Sequence, residues 1–299
     1  LFPSLMKHSR KITFILLAIF LFAQFIGLGV IYKYIDPVKS AETGQTEFKE
    51  LPIGERPPVE QSTSFIPILI AILIGTGILL LLVKFKLTFM WKFWFLFAVI
   101  LTLGVAWTAF VKPAIAFTLA IILGIWKIFK PNFWIHNFTE LFVYGGMAAI
   151  FVPLFNLWSV SILMVLIAIY DAYAVWKSKH MITLAKSQAD AKVFAGLLIP
   201  YSLPKRKKLS AVKKTKKHVK KVARKVHTAI LGGGDIGFPL IFAGVVLKEW
   251  GLWQSLIIPF FALGGLAYLL FNSKPKKFYP AMPFISIGCF VGYGILLLL

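Results

Sequence analysis

Nine stretches of this chain, about 12–35, 65–83, 93–111, 113–129, 141–157, 159–176, 228–247, 251–271 and 281–299, carry almost no charge. A hydrocarbon core of ~30 Å takes roughly 20 helical residues, and a backbone without water must satisfy its hydrogen bonds within itself. The runs are unbroken, not the periodic stripe of a helix on a water-facing surface. With 59% hydrophobic and 15% charged residues among 299, the chain has too little charge to cover a soluble domain of this length. The expected fold class is therefore an all-α integral membrane protein with nine transmembrane helices.

Two boundaries in that count rest on few residues. Lys112-Pro113 separates the third run from the fourth, and Pro153 with Asn156 to Ser159 must turn the fifth into the sixth. Without the second turn, Leu141 to Trp176 would form one helix of ~54 Å, too long for a bilayer. The first run follows Lys7, Arg10 and Lys11, but it is too long for a signal-peptide core and lacks a small-residue cleavage pattern. It is expected to be a retained helix.

Basic residues set the orientation. Lys7, Arg10 and Lys11, then Lys84, Lys86 and Lys92, then Lys127 and Lys130, the block 177–227, and finally Lys274, Lys276 and Lys277 all fall on one side of a nine-span chain. The opposite side receives the loop 36–64, with six acids against three bases, so the N-terminus is expected in the cytoplasm and the C-terminus outside. Its Pro, Glu, Thr and Gly content predicts an irregular, mobile loop. The chain divides into an N-terminal six-helix part (1–176), a polybasic cytoplasmic loop (177–227) and a C-terminal three-helix part (228–299), acting as one membrane domain.

Most of the net charge of +22 comes from that loop, which has sixteen Lys/Arg and the single acid Asp190. Beside membrane helices, such a block is expected to meet anionic lipid headgroups, and no nucleic-acid module accompanies it. Leu209, Val212, Val219, Val222 and Val226 share one face of a helix, as on an inner leaflet; a solvated linker is the alternative. Val193 to Pro200 is too short to cross and reads as a strand or re-entrant piece. Cys289 is expected to be a packing residue.

Asp171 and Asp235 are the only acids inside the apolar runs so drawn. A carboxylate in hydrocarbon costs a few kcal/mol, so each is a functional candidate. Asp171 lies six residues before Lys177 and Asp235 eight after His227. Both are then roughly 9–12 Å below the same surface, on consecutive spans. Two carboxylates at one low-dielectric site can share a proton and activate water, as in aspartic proteases. The same pair could instead carry protons in a transporter or bind a cation.

Gly232-Gly233-Gly234 precedes Asp235 directly. Three glycines weaken a helix start and leave room for an extended backbone, although close helix packing explains them as well. Pro280-Ala281-Met282-Pro283 stands at the same side, where two prolines delay the helix and shape a groove. Together, Tyr170-Asp171, Gly232-Gly233-Gly234-Asp235 and Pro280-Ala281-Met282-Pro283 resemble the YD, GxGD and PAL signatures of the presenilin and signal peptide peptidase family. Order, spans and depth match too, over essentially the whole chain.

The resemblance implies a presenilin-like bundle and an intramembrane aspartyl endopeptidase at the cell membrane, its active site near the cytoplasmic side and Asp171 and Asp235 catalytic. It implies substrate-groove roles for Gly232, Gly234, Pro280, Ala281 and Met282; Tyr170, Leu231, Gly233 and Pro283 join them as neighbours. Substrates would be single-span membrane proteins or signal-peptide remnants, and for a presenilin-like N-in orientation the spans would have their N-terminus outside. Met282 stands where Leu is usual, and Gly233 where a larger residue is common. The short basic loop implies neither obligatory self-cleavage nor the animal cofactor subunits, and the size is most similar to compact microbial, archaeal members. A homo-oligomer is compatible with the sequence.

No HExxH is present, and His8, His136, His180, His218 and His227 are scattered without ligand spacing, so neither a metal nor another cofactor is expected. No GxSxG-like serine pairs with an intramembrane histidine. The main rival is a proton- or cation-coupled transporter, which would be expected to show internal repeats. A non-catalytic lipid-reading scaffold is the other.

Overall fold

The computed structural model describes residues 10–178, 181, 184, 187–188, 193–200, 228–273 and 277–299. Most of the polybasic block lies outside the described residues, with the face through Leu209, Val212, Val219, Val222 and Val226, as do Lys7, Lys274 and Lys276. Helix α1 (Arg10–Tyr34) and the short α2 (Pro37–Thr43) precede α3 (Phe65–Lys84), α4 (Thr88–Thr108), α5 (Pro113–Phe129), α6 (Phe133–Phe151) and α7 (Leu157–Trp176). Strands β1 (Gly196–Pro200) and β2 (Thr228–Gly232) follow, then α8 (Gly233–Trp250), α9 (Leu252–Ser255), α10 (Ile257–Asn272) and α11 (Met282–Leu296).

Among the described residues, six segments are long and apolar enough to cross a bilayer: α1, α3, α4, α6 with its extension to Leu154, α7, and α9–α10. Helices α5 and α11 are shorter apolar helices. Helix α8 is in neither group, because the expected span 228–247 gives its first five residues to β2 and the helix itself carries Asp235, Lys248 and Glu249. The protein is thus a mostly helical, multi-pass membrane protein.

Both weak boundaries exist. Pro113 occupies the first turn of α5, where its missing N–H is harmless. After α6 the chain tightens into a 3-10 turn at Val152–Leu154, and Asn156 and Ser159 form a capping box that starts α7.

Helix α8 lies at the centre, against α1, α6, α7, α10 and α11. Every residue from Ile236 to Leu247 except Phe238 is buried, which is why its sequence shows no one-sided apolar stripe. Helix α3 is the opposite case. None of its residues is buried, and its Ile70, Ile74 and Leu81 are exposed in the way lipid permits. Since lipid is as apolar as leucine, close packing and polar contacts hold such helices together. A Cβ on Gly288 would sit 2.2 Å from the Phe261 carbonyl oxygen, so α10 and α11 touch backbone to backbone only because that side chain is missing. Gln24 of α1 donates its amide to the Ile236 carbonyl at 2.9 Å, and Tyr34 donates to the Val105 carbonyl at 2.9 Å.

The loop 36–64 departs from expectation, being folded rather than irregular. Asp36 caps α2 and Gly44 ends it in the left-handed conformation. Leu51 is buried, Thr46 donates to the Lys248 carbonyl at 2.7 Å, and Arg56 donates to the carbonyls of Lys49 (2.9 Å) and Ala149 (3.3 Å). Desolvation lowers the pKa of Arg56, and the nearby Tyr34 partly offsets the shift. Composition measures how little the loop can bury by itself. It does not measure what the helix ends offer it.

Candidate active site

The run Val193 to Pro200 does supply a strand. β1 pairs antiparallel with β2 in the register Gly196↔Gly232, Leu197↔Leu231, Leu198↔Ile230, Ile199↔Ala229, and Gly233 N–H continues the contact to the Ala195 carbonyl at 3.1 Å. Gly196 has φ +145, and a Cβ there would lie 2.2 Å from the Leu231 carbonyl oxygen, so only glycine fits.

Side chains of α6 take up the other edge of β1. Asn137 donates to the Leu198 carbonyl (2.8 Å) and accepts from the Leu198 N–H (3.0 Å). His136 donates through Nε2 to the Gly196 carbonyl at 2.8 Å, and the Gly196 N–H donates to Glu140 Oε2 at 3.1 Å. Gly196 and Leu198 therefore face α6, while Leu197 and Ile199 face β2. By the alternation of an antiparallel ladder, Ile230 and Gly232 direct their main-chain groups away from β1. Ile230 is exposed.

Glu140 corrects the sequence reading. It lies inside α6, 1% exposed, so Asp171 and Asp235 are not the only acids within the bundle. Lys127 of α5 pairs with it, and the Tyr144 hydroxyl donates to it. Hydropathy started this span at Leu141, since His136, Asn137, Thr139 and Glu140 look like loop. The available signal was spacing: His136, Glu140 and Tyr144 recur every four residues on one helix face.

Asp235 is in the first turn of α8, three residues after the N-cap Gly232, and its carboxyl reaches back to the Gly232 N–H in half of a capping box. Pro239 has no N–H to offer the Asp235 carbonyl one turn earlier, so the helix is weakly held where the acid stands. Asp235 is partly buried and Gly234 beside it is exposed.

Asp171, 8% exposed, lies five residues before the end of α7, opposite the start of α11. Its Oδ2 accepts from the Met282 N–H at 3.1 Å, with a second backbone hydrogen bond from Ala281. Pro280 and Pro283 bracket these donors, so the two N–H groups left free at the helix start converge on one carboxylate, where the helix dipole also favours negative charge. The sequence did not reveal this use of Ala281 and Met282. Helices α7, α8 and α11 adjoin one another, which places Asp171 and Asp235 on neighbouring helices.

The remaining candidates fall around the same point. Leu231 is buried on β2, Met282 is buried at the start of α11, Pro280 is buried, and Tyr170, Ala281 and Pro283 are half-buried. A Cβ on Gly233 would come within 2.8 Å of the Tyr144 hydroxyl, so this residue fills the space that a side chain at 233 would occupy. Cys289 is buried, as expected of a packing residue.

A family model described as signal-peptide peptidase, presenilin aspartyl protease matches residues 49–299. No curated protein matches the chain significantly. Two solved structures, both of a presenilin family intramembrane aspartate protease in different crystal forms, are similar in fold with a TM-score of 0.56 each. One is 18% identical and covers 95% of this chain and 99% of its own. The other is 19% identical, covering 95% and 96%.

Proposed function

The chain belongs to the signal-peptide peptidase and presenilin aspartyl protease family, and from that premise we propose that Asp171 and Asp235 are its catalytic pair. The protein is an intramembrane aspartyl protease, a hydrolase whose substrates are membrane proteins. Neither family nor fold supports the transporter that the two acids alone allowed.

The observation that carries the assignment is that Asp171, held by the first N–H groups of α11, and Asp235, on the first turn of α8, stand on adjoining helices beside a strand edge. The pair holds one proton between two carboxyls. The ionised one takes a proton from water as the water oxygen bonds to the scissile carbonyl carbon. The protonated one supports the developing oxyanion and then passes a proton to the leaving nitrogen as the C–N bond breaks. Proton transfers of this kind contribute typically 10²–10⁴-fold.

A helical amide is closed to attack, so the substrate must be extended. The main-chain N–H and carbonyl of Ile230, facing away from β1, offer a template to which an unwound segment adds as a third strand. Tyr170, Leu231, Gly232, Gly233, Gly234, Pro280, Ala281, Met282 and Pro283 would line that groove. The occupants are single-span membrane proteins or signal-peptide remnants. Nine spans, with the N-terminus and the active-site end cytoplasmic and the C-terminus outside, agree with the basic residues. The division into 1–176, 177–227 and 228–299 belongs to this reading, with β1 of the second part paired to β2 at the start of the third, as one functional unit requires. That block would meet anionic lipid.

Reconstitution of the full chain with a labelled single-span substrate tests this reading. Wild-type protein is expected to cut it, and Asp171→Asn and Asp235→Asn each to abolish cutting without loss of folding. Cleavage surviving either change would remove the assignment.

A further inference from the structure

Lys127 and Glu140 form an ion pair at 2–3% and 1% exposure within the bundle. A pair so desolvated is weak evidence for stability, because apolar residues of similar volume often serve a fold as well. What this pair does hold is geometry. Glu140 Oε2 accepts both the Tyr144 hydroxyl and, at 3.1 Å, the N–H of Gly196. Gly196 is the residue of β1 paired with Gly232, the N-cap of the helix that carries Asp235. The Tyr144 hydroxyl lies against Gly233, the next residue, and Tyr144 is within electrostatic range of Asp235. One carboxylate therefore contacts the segment before Asp235 by two routes, through the paired strand and through the tyrosine.

We infer that Glu140, charge-paired with Lys127, is a positioning residue: it fixes β1 and Tyr144 on α6 so that the strand edge and the Gly232–Gly233–Gly234 backbone hold an extended substrate in one register against Asp235. This rests on the proposed catalytic pair and adds to it what sets the cut position. Lys127 pairs with the other oxygen, Oε1, which leaves Oε2 to accept from Tyr144 and Gly196, and His136 and Asn137 hold the rest of the β1 edge to the same helix. A one-residue slip of an antiparallel strand would reverse which groups face the substrate. Among the described residues, these α6 side chains hold the edge of β1 that β2 leaves open.

The test uses the full chain in liposomes with a labelled single-span substrate, reading kcat, KM, the masses of the products and the thermal midpoint. Glu140→Gln leaves Lys127 buried without its partner and can fail to fold, so Tyr144→Phe and the neutral pair Lys127→Gln/Glu140→Gln carry the measurement. The expected result is a fall in kcat of about 10-fold or more per folded enzyme, with KM changed less than about twofold, since misplacement of the scissile bond by ~1 Å can lose 10²-fold. Products are expected to spread from one bond to its neighbours. Wild-type kcat per folded enzyme with an unchanged product pattern overturns the inference, whether or not the thermal midpoint falls. Asp235→Asn run alongside separates the two layers: if it still cuts, the catalytic assignment falls, whereas if it is dead and Tyr144→Phe cuts like wild type, only the positioning role falls.

Discussion

The Asp171 carboxylate accepts the main-chain N–H of Met282 at 3.1 Å, so an acid within the last two turns of α7 also caps α11. Sequence motifs 111 residues apart thereby become one local structure. The proline-rich start of α11 supplies donors that no intrahelical carbonyl claims, and the acid supplies the acceptor.

Replacement of Asp171 should separate capping from chemistry. Asn keeps an acceptor oxygen and is expected to stay near wild-type stability, whereas Ala leaves two N–H groups unanswered and should lose about 1 kcal/mol more. Both are expected to be inactive. Thermal unfolding in detergent beside the cleavage assay checks this, and equal stability of the two variants would count against the cap.

Gly233 and Tyr144 should prove coupled. A methyl group at 233 meets the tyrosine hydroxyl, so Gly233→Ala is expected to lose roughly 1–3 kcal/mol through overpacking. Combined with Tyr144→Phe, which removes the obstructing oxygen, the double variant should be more stable than the sum of the singles predicts, by about 0.5 kcal/mol or more. Strict additivity in thermal unfolding would show that the two residues do not meet.

Cleavage is expected to follow a bell-shaped pH profile. Below the lower limb both carboxyls are protonated and no base remains. Above the upper limb both are ionised and no acid remains. Both limbs belong to the pair, not to either residue. A rate independent of pH across the acidic and neutral range would exclude shared-proton chemistry.

Gln24→Leu should change stability little. The variant loses the hydrogen bond to the Ile236 carbonyl, for which interhelical bonds in membranes average ~0.6 kcal/mol. It also removes a buried amide oxygen that has no partner among the described residues. The two effects oppose each other, and a loss above about 2 kcal/mol in thermal unfolding would show that Gln24 holds the start of α8 more firmly than one bond explains.

The turn at Pro153 to Asn156, the start of α5 at Pro113 and the strand within Val193 to Pro200 were legible in the sequence. Each depends on neighbours a few residues away: a missing N–H, a capping side chain, an apolar run too short to cross. Asp171 and Asp235 stood out for the same kind of reason, because a charge within an apolar run is conspicuous wherever the chain folds. Glu140 did not stand out. It lies beside polar residues, and only contact with Lys127, Tyr144 and Gly196 makes it an interior group.

The sequence by itself determined that this chain must lie in a bilayer, roughly where it crosses, and which two acids stand inside its apolar runs. Lipid imposes that sorting residue by residue, since hydrocarbon rejects charge and unpaired backbone regardless of tertiary contacts. Only the tertiary structure decided what each polar group is paired with. Met282 became the donor to Asp171, α6 became the support of β1, and the loop 36–64 became folded. Such hydrogen bonds join residues far apart in the chain, and their geometry depends on distances that arise only when the helices assemble.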